Sequence, residues 1–346
     1  MFTKFNSVYY INNFSSSNKN AIAGFDIDWT IVKPKSGKKF PKSRNDWVYL
    51  YGTKTINKLK EISKSHHIVF FSNQSKIKDE VLDKFNDIIL NLKLPISVYV
   101  STKNDYYRKP IIGMWELFTK DIKVNYDKSF YCGDAAGREN DFAATDYMFA
   151  HNINVKFLTP EQFFINSKYT YSQPKLKVPD FKKYLTDKPK ELPLSSSKEL
   201  IILVGYPGSG KSFLANKTGY EVINQDILKT RNKCLKETEK LMKKNKNIVI
   251  DNTNHTKNKR EDYIKLGKKY GYYIKGVEIS NPIELCQYMN NYRVLISKGS
   301  IKAVPIVVYR TIKKHYEKCD ESEGFNEIIT FLNKIKKEKN IFTYLL

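Results

Sequence analysis

Residues 205–212 restrict the fold of this chain more than any other stretch. They form the run Gly-Tyr-Pro-Gly-Ser-Gly-Lys-Ser, between an apolar run at residues 199–204 and a helical pattern that begins at Lys211. A glycine-rich loop that joins a strand to a helix surrounds nucleotide phosphates with backbone N–H groups at the helix N-terminus. The sequence therefore predicts a phosphate-binding loop at the carboxyl end of a parallel strand.

Every residue of this loop is a candidate for binding ATP, namely Gly205, Tyr206, Pro207, Gly208, Ser209, Gly210, Lys211 and Ser212. Lys211 is expected to reach the β- and γ-phosphates, and Ser212 to hold Mg²⁺. Asp226 follows a predicted strand at residues 220–223 and is expected to accept the proton of the hydroxyl being phosphorylated. Asp251 ends a buried strand at residues 248–251 and is the expected second carboxylate on the Mg²⁺ side.

Three basic residues complete this predicted kinase site. Arg293, on a predicted helix, is a candidate internal arginine finger for the transferring phosphoryl group. Arg231 and Lys233 are candidates for binding the phosphate backbone of an acceptor strand. A solvated helix face is the alternative for Arg293, and a cap at a strand end is the alternative for either acid.

A second chemical signature lies in the first half, at residues 25–30, which read Phe-Asp-Ile-Asp-Trp-Thr. Positions i and i+2 of a strand point to the same side, so Asp26 and Asp28 are predicted to lie together at a strand end. Asp26 is expected to attack phosphorus and form an aspartyl phosphate, while Asp28 protonates the leaving alkoxide and then activates water. An N-cap or a surface turn is the alternative for an isolated Asp-x-Asp.

Further residues are predicted to join this phosphatase site. A carboxylate that attacks a phosphate dianion meets charge repulsion, which Mg²⁺ held by acids would offset. The predicted metal ligands are Asp26, Asp28 and Asp134, and the predicted phosphate-binding residues are Thr30, Ser72 and Asn73. Lys109 is expected to neutralise charge and hold Asp26. The short stretch between residues 30 and 53 leaves no room for a large cap domain, which favours a macromolecular substrate.

Apolar runs and helical patterns alternate along the chain, which predicts an α/β fold with two parallel sheets flanked by helices. The predicted domains are residues 1–165 and 198–346, joined by a proline- and lysine-rich linker at residues 166–197. Residues 282–335 are predicted to be mostly helical. The other predicted elements are strands at 21–27, 67–71, 96–101 and 129–132 and helices at 53–65, 78–92 and 233–244.

The net charge of +24 favours a polyanionic partner such as nucleic acid. A compositional drift towards Lys explains the charge equally well, because only seven of the 60 basic residues are Arg. In such a chain each Arg is a candidate for a geometric role that the planar guanidinium alone can fill. The four cysteines lack pair spacing, which predicts reduced thiols inside a cell, and no run of 18 apolar residues predicts a membrane span.

The phosphatase motifs carry a family resemblance. The runs at residues 25–30, 71–74 (Phe-Ser-Asn-Gln), 107–110 (Tyr-Arg-Lys-Pro) and 131–138 (Tyr-Cys-Gly-Asp-Ala-Ala-Gly-Arg) follow the order used by haloacid dehalogenase-type phosphatases. With the downstream loop and the Asp-Asn-Thr-Asn run at 251–254, the chain resembles bifunctional polynucleotide kinase/3′-phosphatases of the metazoan type. That resemblance implies a Rossmannoid 3′-phosphatase domain followed by a P-loop kinase that phosphorylates 5′-hydroxyl ends with ATP.

The family's roles carry over to Asp26 as nucleophile, Asp28 as acid/base, Asp134 as metal ligand and Asp226 as base, with Lys211 and Ser212 on ATP–Mg²⁺. Three departures accompany the resemblance. The chain starts about twenty residues before the first motif, so the forkhead-associated module of the animal enzymes is expected to be absent. The segment after Arg138 is short, and Lys233 stands where relatives have Arg.

These features predict an enzyme that prepares DNA strand breaks for ligation, acting as a monomer in the nucleus, the cytoplasm or a viral factory. RNA end healing by the same two activities is the first alternative, and the sequence does not separate it from DNA repair. A fusion of a small-metabolite phosphatase with a small-molecule kinase is the second alternative.

Overall fold

A computed structural model of the chain describes residues 1–14, 19–74, 79–167, 181–195, 198–337 and 343–346. The chain divides into two compact units. The first comprises Met1–Val178, Val294–Lys302 and Phe342–Leu346, and the second comprises Pro179–Arg293 and Ala303–Ile341. Sequence patterns did not predict that two segments from the C-terminal half would group with the first unit. Within the described part of the chain, no helix is long and apolar enough to cross a membrane.

The first unit is built around a seven-stranded sheet with the order β1-β2-β7-β6-β3-β8-β9. From β7 to β9 neighbouring strands are parallel, and β1 and β2 form an antiparallel edge. Its elements in chain order are β1 (Thr3–Phe5), β2 (Val8–Ile11), β3 (Ile22–Phe25), β4 (Val32–Lys33), β5 (Val48–Tyr49), α1 (Thr53–Ile62), β6 (His67–Asn73), α2 (Asp79–Leu92), β7 (Ser97–Ser101), α3 (Gly113–Thr119), β8 (Phe130–Cys132), α4 (Thr145–Asn152), β9 (Lys156–Leu158) and α5 (Pro160–Phe164).

The central strand β3 is buried along its whole length, as its continuous apolar run predicts for a parallel sheet covered on both faces. Ile22 packs in one apolar core, while Ala23 and Phe25 pack in the other. Burial on both faces fixes the register of β3 and therefore the height at which its carboxyl end presents Asp26.

The second unit is built around a five-stranded parallel sheet with the order β12-β13-β11-β14-β15. A short pair, β10 with β16, is separate from it. Its elements are β10 (Leu185–Thr186), β11 (Glu199–Val204), α6 (Lys211–Lys217), β12 (Glu221–Ile223), α7 (Gln225–Leu228), α8 (Arg231–Lys243), β13 (Ile248–Ile250), α9 (Lys257–Lys269), β14 (Tyr273–Ile279), α10 (Ile283–Ile296), α11 (Ile306–Lys314), β15 (Glu327–Phe331) and β16 (Ile335–Lys336), with 3₁₀ turns at Phe181–Tyr184 and Glu321–Glu323.

One prediction from the sequence needs correction here. The prediction of a mostly helical region at residues 282–335 is wrong at its end, where β15 adds an edge strand to the sheet beside β14. A short apolar run does not distinguish a strand from a helix by periodicity alone. The predicted linker contains the turn Phe181–Tyr184 and strand β10. Its residues 168–180 and 196–197 lie outside the described residues, as does residue 78 of the predicted helix at 78–92.

Arg260 is fully buried in the second unit, and its side chain links separate segments of that unit. Its Nε and Nη2 donate to the two carboxylate oxygens of Glu323, at 2.8 and 2.7 Å. Nη1 donates to the carbonyls of Asn254 and Glu317, and Nη2 also donates to the carbonyl of Lys318. The guanidinium thus joins the loop after β13 to the chain after α11, and a Lys side chain has too few donors to replace it.

We predict that Arg260→Ala lowers the free energy of unfolding of the second unit by about 3–5 kcal/mol, because it leaves the Glu323 carboxylate buried without its partner. The midpoint of thermal unfolding, detected through the loss of kinase activity, measures the change. Lys265→Ala is the control, since the Lys265 side chain on the same helix is 67% exposed in its pair with Glu261 and contributes well under about 1 kcal/mol. Equal unfolding midpoints for the two variants would contradict the role assigned to Arg260.

Candidate active sites

Three carboxylates meet at the carboxyl end of the first sheet. Ligand oxygens of Asp26, Asp134 and Asp146 lie within 4.8 Å of one another. Asp26 follows β3 and its backbone N–H donates to the carbonyl of Cys132, the last residue of β8. Asp134 lies two residues beyond β8, and Asp146 is in the first turn of α4. The neighbouring parallel strands therefore bring together acids that are 120 residues apart in the chain.

Lys109 is buried among these acids. Its Nζ donates to Asp26 Oδ1 at 2.7 Å, to Asp146 Oδ1 at 2.8 Å and to the hydroxyl of Tyr131 at 2.8 Å. Although burial opposes its charge, the carboxylates of Asp146 and Asp26 hold the pKa of Lys109 above its usual value. The ammonium therefore stays charged and fixes the Asp26 carboxylate, as the sequence predicts.

The positive charge of Lys109 does not fully offset the burial and mutual repulsion of the three acids. Burial raises the pKa of Asp26 well above its usual range, and the charges of Asp146 and Asp134 add to the effect. Burial, with Asp146, raises the pKa of Asp134 to about 7. Buried carboxylates in excess of nearby cations are the environment in which a divalent ion with oxygen ligands is stabilised. The residues present therefore fit Mg²⁺, with Asp26 and Asp134 as the acids best placed to hold it.

The carboxylate of Asp28 lies apart from this group. Its Oδ1 accepts from Lys84 Nζ at 2.7 Å, and its Oδ2 accepts from Gln74 Nε2 at 2.9 Å. Lys84 is buried on α2, whereas the Asp28 side chain is 37% exposed and open to a substrate. The placement suits an acid/base residue. Each oxygen keeps a further lone pair, so the role of the Asp28 carboxylate as a metal ligand stays a prediction.

The three predicted phosphate-binding residues also form internal hydrogen bonds. Thr30 is fully buried, and its Oγ1 accepts from the backbone N–H of Asp134 at 3.1 Å. Asn73 Nδ2 donates to the carbonyl of Lys109, and the backbone N–H of Lys109 donates to Asn73 Oδ1, both at 3.0 Å. The Ser72 hydroxyl accepts from Gln74 Nε2 at 2.9 Å. Thr30 and Asn73 thus hold Asp134 and Lys109 in place, and only Ser72 keeps a hydroxyl hydrogen to donate.

Sequence patterns missed Asp146 and Lys84, since neither lies in a recognised motif. The glycine at position 133 is one feature of the sequence that is related to Asp146. A Cβ atom at Gly133 would lie 2.4 Å from the carboxyl carbon of Asp146, so the glycine is required by the close approach of that acid. The Asp146 Oδ2 also accepts from the backbone N–H of Ala135, which fixes the loop that carries Asp134.

We predict that Asp146→Asn lowers the kcat/KM of the phosphatase by about 10- to 100-fold, because Lys109 loses one of its two carboxylate partners. Kinase activity should not change. Phosphate release from a 3′-phosphorylated oligonucleotide measures the first activity. Asp127→Asn is the matched control, because Asp127 is exposed in the same unit. A normal phosphatase in Asp146→Asn, or loss of both activities, would contradict the assigned role.

The second site is centred on Lys211, the first residue of α6. The side chain is buried, and its Nζ donates to the carbonyls of Gly205 and Tyr206, at 3.0 and 2.7 Å. Burial lowers the pKa of Lys211 to about 8, against the attraction of Asp251 and Asp226. An ammonium group held by neutral carbonyls lacks a full counter-charge, which suits a nucleotide phosphate at a helix N-terminus.

The structure gathers the other predicted kinase residues near Lys211. Asp251 is buried and accepts from Asn224 Nδ2 at 2.8 Å. Asp226 is exposed on α7, and Ser212 is exposed on the first turn of α6. Arg293 lies close enough to oppose the charge of Lys211. Its Nε is buried and has no hydrogen-bond acceptor among the described residues, which fits an anionic ligand.

Asn333 is a residue of this site that the sequence did not indicate. Its Nδ2 donates to the carbonyl of Ser209 at 2.9 Å, and its backbone forms a reciprocal pair with the side chain of Asn281. A Cβ atom at Gly210, where φ is +87°, would lie 2.0 Å from that Nδ2. The end of β15 therefore supports the phosphate-binding loop, and Gly210 is required both by its backbone conformation and by this contact.

The two predicted nucleic-acid contacts differ in their placement. The Arg231 guanidinium donates to Asp262 at 2.8 Å and to the carbonyls of Asn258 and Lys259. These contacts tie α8 to α9 and use three of the five guanidinium N–H groups of Arg231, so its contact with a nucleic-acid strand stays a prediction. Lys233 is exposed in the first turn of α8, with its charge open to solvent.

The fold and the two sites define a chain that joins an aspartate-based phosphatase unit to a P-loop kinase unit. Residues 21–164 match the family model described as polynucleotide kinase 3 phosphatase, and residues 200–319 match a model described as an AAA domain. The chain is 36% identical over 321 residues to a bifunctional polynucleotide phosphatase/kinase of Schizosaccharomyces pombe. The alignment covers 88% of this chain and 78% of that protein.

Two further relatives support the assignment. A protein of Acanthamoeba polyphaga mimivirus is 33% identical over 362 residues, covering 89% of this chain and 84% of the relative. A polynucleotide 3′-phosphatase of Arabidopsis thaliana is 34% identical over 171 residues, covering 42% of this chain and 24% of that protein. The chain belongs to the family of bifunctional polynucleotide phosphatase/kinases.

Proposed function

We propose that this chain repairs the ends of broken DNA strands, removing a 3′-phosphate with its first unit and phosphorylating a 5′-hydroxyl with its second. The observation that carries the proposal is the pairing of two different phosphate sites in one chain. One is an acid cluster around Lys109 that suits an attacking carboxylate. The other is a phosphate-binding loop around Lys211 that suits ATP.

In the phosphatase reaction, the carboxylate of Asp26 attacks phosphorus and the bond to the 3′ oxygen breaks. Asp28 donates its proton to that oxygen and then accepts a proton from the water that attacks the aspartyl phosphate. This second step releases inorganic phosphate and restores Asp26. Lys109 keeps the attacking oxygen in place, and Ser72 donates a hydrogen bond to the phosphate. Mg²⁺ at Asp26 and Asp134 would supply the charge neutralisation that the attack on a dianion requires.

In the kinase reaction, Asp226 accepts the proton of the 5′-hydroxyl, whose oxygen attacks the γ-phosphorus of ATP, and ADP leaves. Lys211 and Arg293 stabilise the negative charge on the transferring group. Ser212 and Asp251 are the residues that would hold the Mg²⁺ of ATP–Mg²⁺. The exposure of Asp226 supports its contact with a large acceptor.

A nucleic-acid substrate agrees with the net charge of +24 and with the exposed charge of Lys233. Arg231 would contribute by holding α8, which carries Lys233, against α9. We propose that the chain acts as a monomer. All four cysteines are free, and this supports an intracellular location, in the nucleus or the cytoplasm.

We predict that the two activities separate by mutation. Asp26→Asn should lower 3′-phosphatase turnover by at least about 10³-fold, because an amide cannot serve as the nucleophile, and should leave kinase turnover near normal. Lys211→Ala and Asp226→Asn should do the reverse. Phosphate release and transfer of γ-phosphate from labelled ATP, measured on one oligonucleotide, give both rates. Loss of both activities in a folded Asp26→Asn protein would refute two independent sites.

We also predict that DNA is preferred to RNA. Matched DNA and RNA oligonucleotides with 3′-phosphate and 5′-hydroxyl ends, placed in competition, should give a higher kcat/KM for DNA in both reactions. Faster turnover of RNA would instead identify an RNA end-healing enzyme. Equal turnover of nucleotide monomers, without strong weakening of binding by salt, would identify a small-metabolite enzyme, since phosphate contacts along a strand release counterions.

A further inference from the structure

A segment from the C-terminal half of the sequence contacts helix α4. This segment, Thr343–Leu346, belongs to the first unit. The backbone N–H of Leu345 donates to Asn152 Oδ1, and the carbonyl of Leu345 accepts from Asn152 Nδ2, both at 2.8 Å. His151 Nε2 also donates to the carbonyl of Thr343, at 3.3 Å. The segment is therefore fastened to the last two residues of α4.

The side chain of Asn152 also contacts the turn that carries Lys109. Its Nδ2 donates to the carbonyl of Pro110 at 2.9 Å. An amide nitrogen has two hydrogens, and here one is directed to Pro110 and the other to Leu345. The amide thus joins the segment, the end of α4 and the residue after Lys109. We refer to Asn152, Pro110 and Leu345 as the Asn152 clasp.

The clasp is the second of two attachments between α4 and this turn. The first is the ion pair of Lys109 Nζ with Asp146 Oδ1 at 2.8 Å, in the first turn of α4. Asp146 and Asn152 are separated by about 9 Å along the helix axis. Between them, Phe149 is fully buried and packs against the ring of Tyr131. One attachment would allow α4 to tilt relative to the turn, whereas two attachments at opposite ends of the helix fix its direction.

The segment also lies near the loop that precedes Lys109. Tyr106 in this loop is buried, and its hydroxyl donates to Glu116. Burial and this hydrogen bond raise the pKa of Tyr106, and Tyr344 contributes to the same shift, so Tyr344 lies close to Tyr106. The segment is therefore beside both elements that meet at Lys109, the loop and α4.

We infer that the Asn152 clasp positions Lys109 for the phosphatase reaction and that the segment Thr343–Leu346 completes the clasp. The inference rests on the proposed function. Lys109 Nζ reaches Asp26 Oδ1 at 2.7 Å while it also holds Asp146. A displacement of about 1 Å in such a group can lower turnover about 100-fold. Asn152 acts through the turn and through α4, so it is a positioning residue.

The test measures phosphate release from a 3′-phosphorylated oligonucleotide and phosphorylation of its 5′-hydroxyl. Asn152→Ala should lower the kcat of the phosphatase about tenfold and leave its KM within about twofold, because a positioning residue affects the chemical step and not the binding of the strand. Removal of residues 343–346 should lower the same kcat about fivefold, because the bond from Asn152 to Pro110 remains. Kinase turnover should not change in either variant.

Three further measurements separate positioning from folding. The thermal unfolding midpoint of each variant should stay within about 4 °C of the parent value, so the loss of kcat is seen in folded protein. Removal of residues 343–346 from the Asn152→Ala variant should cause no further loss of kcat, because both changes act on one contact. Asn57→Ala is the matched control, because Asn57 is exposed on helix α1 of the same unit.

A normal phosphatase kcat in Asn152→Ala would overturn the inference, as would a higher KM at unchanged kcat. A lower unfolding midpoint with normal kcat below it would also overturn it, since the clasp would then serve stability alone. Additive losses of kcat would overturn the link between the segment and Asn152. If the parent protein releases no 3′-phosphate, the proposed function fails and the inference fails with it. Release at equal kcat by the parent and both variants rejects only the clasp.

Discussion

Both sites depend on an ammonium group that is buried at the carboxyl end of a parallel sheet. Lys109 is surrounded by three carboxylates and is outnumbered by them, so the first site has an excess of negative charge. Lys211 is held by neutral carbonyls, so the second site has an excess of positive charge. The pKa shifts agree with this contrast, because that of Asp134 is raised to about 7 and that of Lys211 is lowered to about 8. The charge balance of the first site fits a cation, and that of the second fits a nucleotide phosphate.

Each functional loop is positioned by a residue from an element outside its own motif. Asp146 on α4 fixes Lys109, and Lys84 on α2 holds Asp28. In the second unit, Asn333 after β15 supports the phosphate-binding loop. In each contact at least one partner is buried, so removing the other partner leaves a buried polar group without compensation. The catalytic geometry is thus a property of the packed units, and the motifs alone do not create it.

The scarce arginines fill roles that depend on the geometry of the guanidinium group. Arg260 uses its planar guanidinium to join Glu323 to three carbonyls, and Arg138 joins Asp141 to Glu161. Arg231 is likewise occupied by Asp262. Among the predicted ligand-binding arginines, Arg293 is the one whose buried Nε awaits an acceptor within the described residues. Within the described residues, Arg260, Arg138 and Arg231 each link separate segments of the chain.

The sequence by itself determined the two α/β units and the loops that carry their chemistry. Short apolar runs precede Asp26, Asp134 and the glycine-rich loop, and such runs form buried parallel strands. The functional loops of a parallel sheet lie at the carboxyl ends of its strands, so the sequence pattern places these residues there. The tertiary structure alone decided what these loops meet. It placed Asp146 against Lys109, set the Thr30 hydroxyl against the backbone N–H of Asp134, and added β15 to the sheet. Such contacts depend on distances between residues far apart in the chain, and no local pattern encodes those distances.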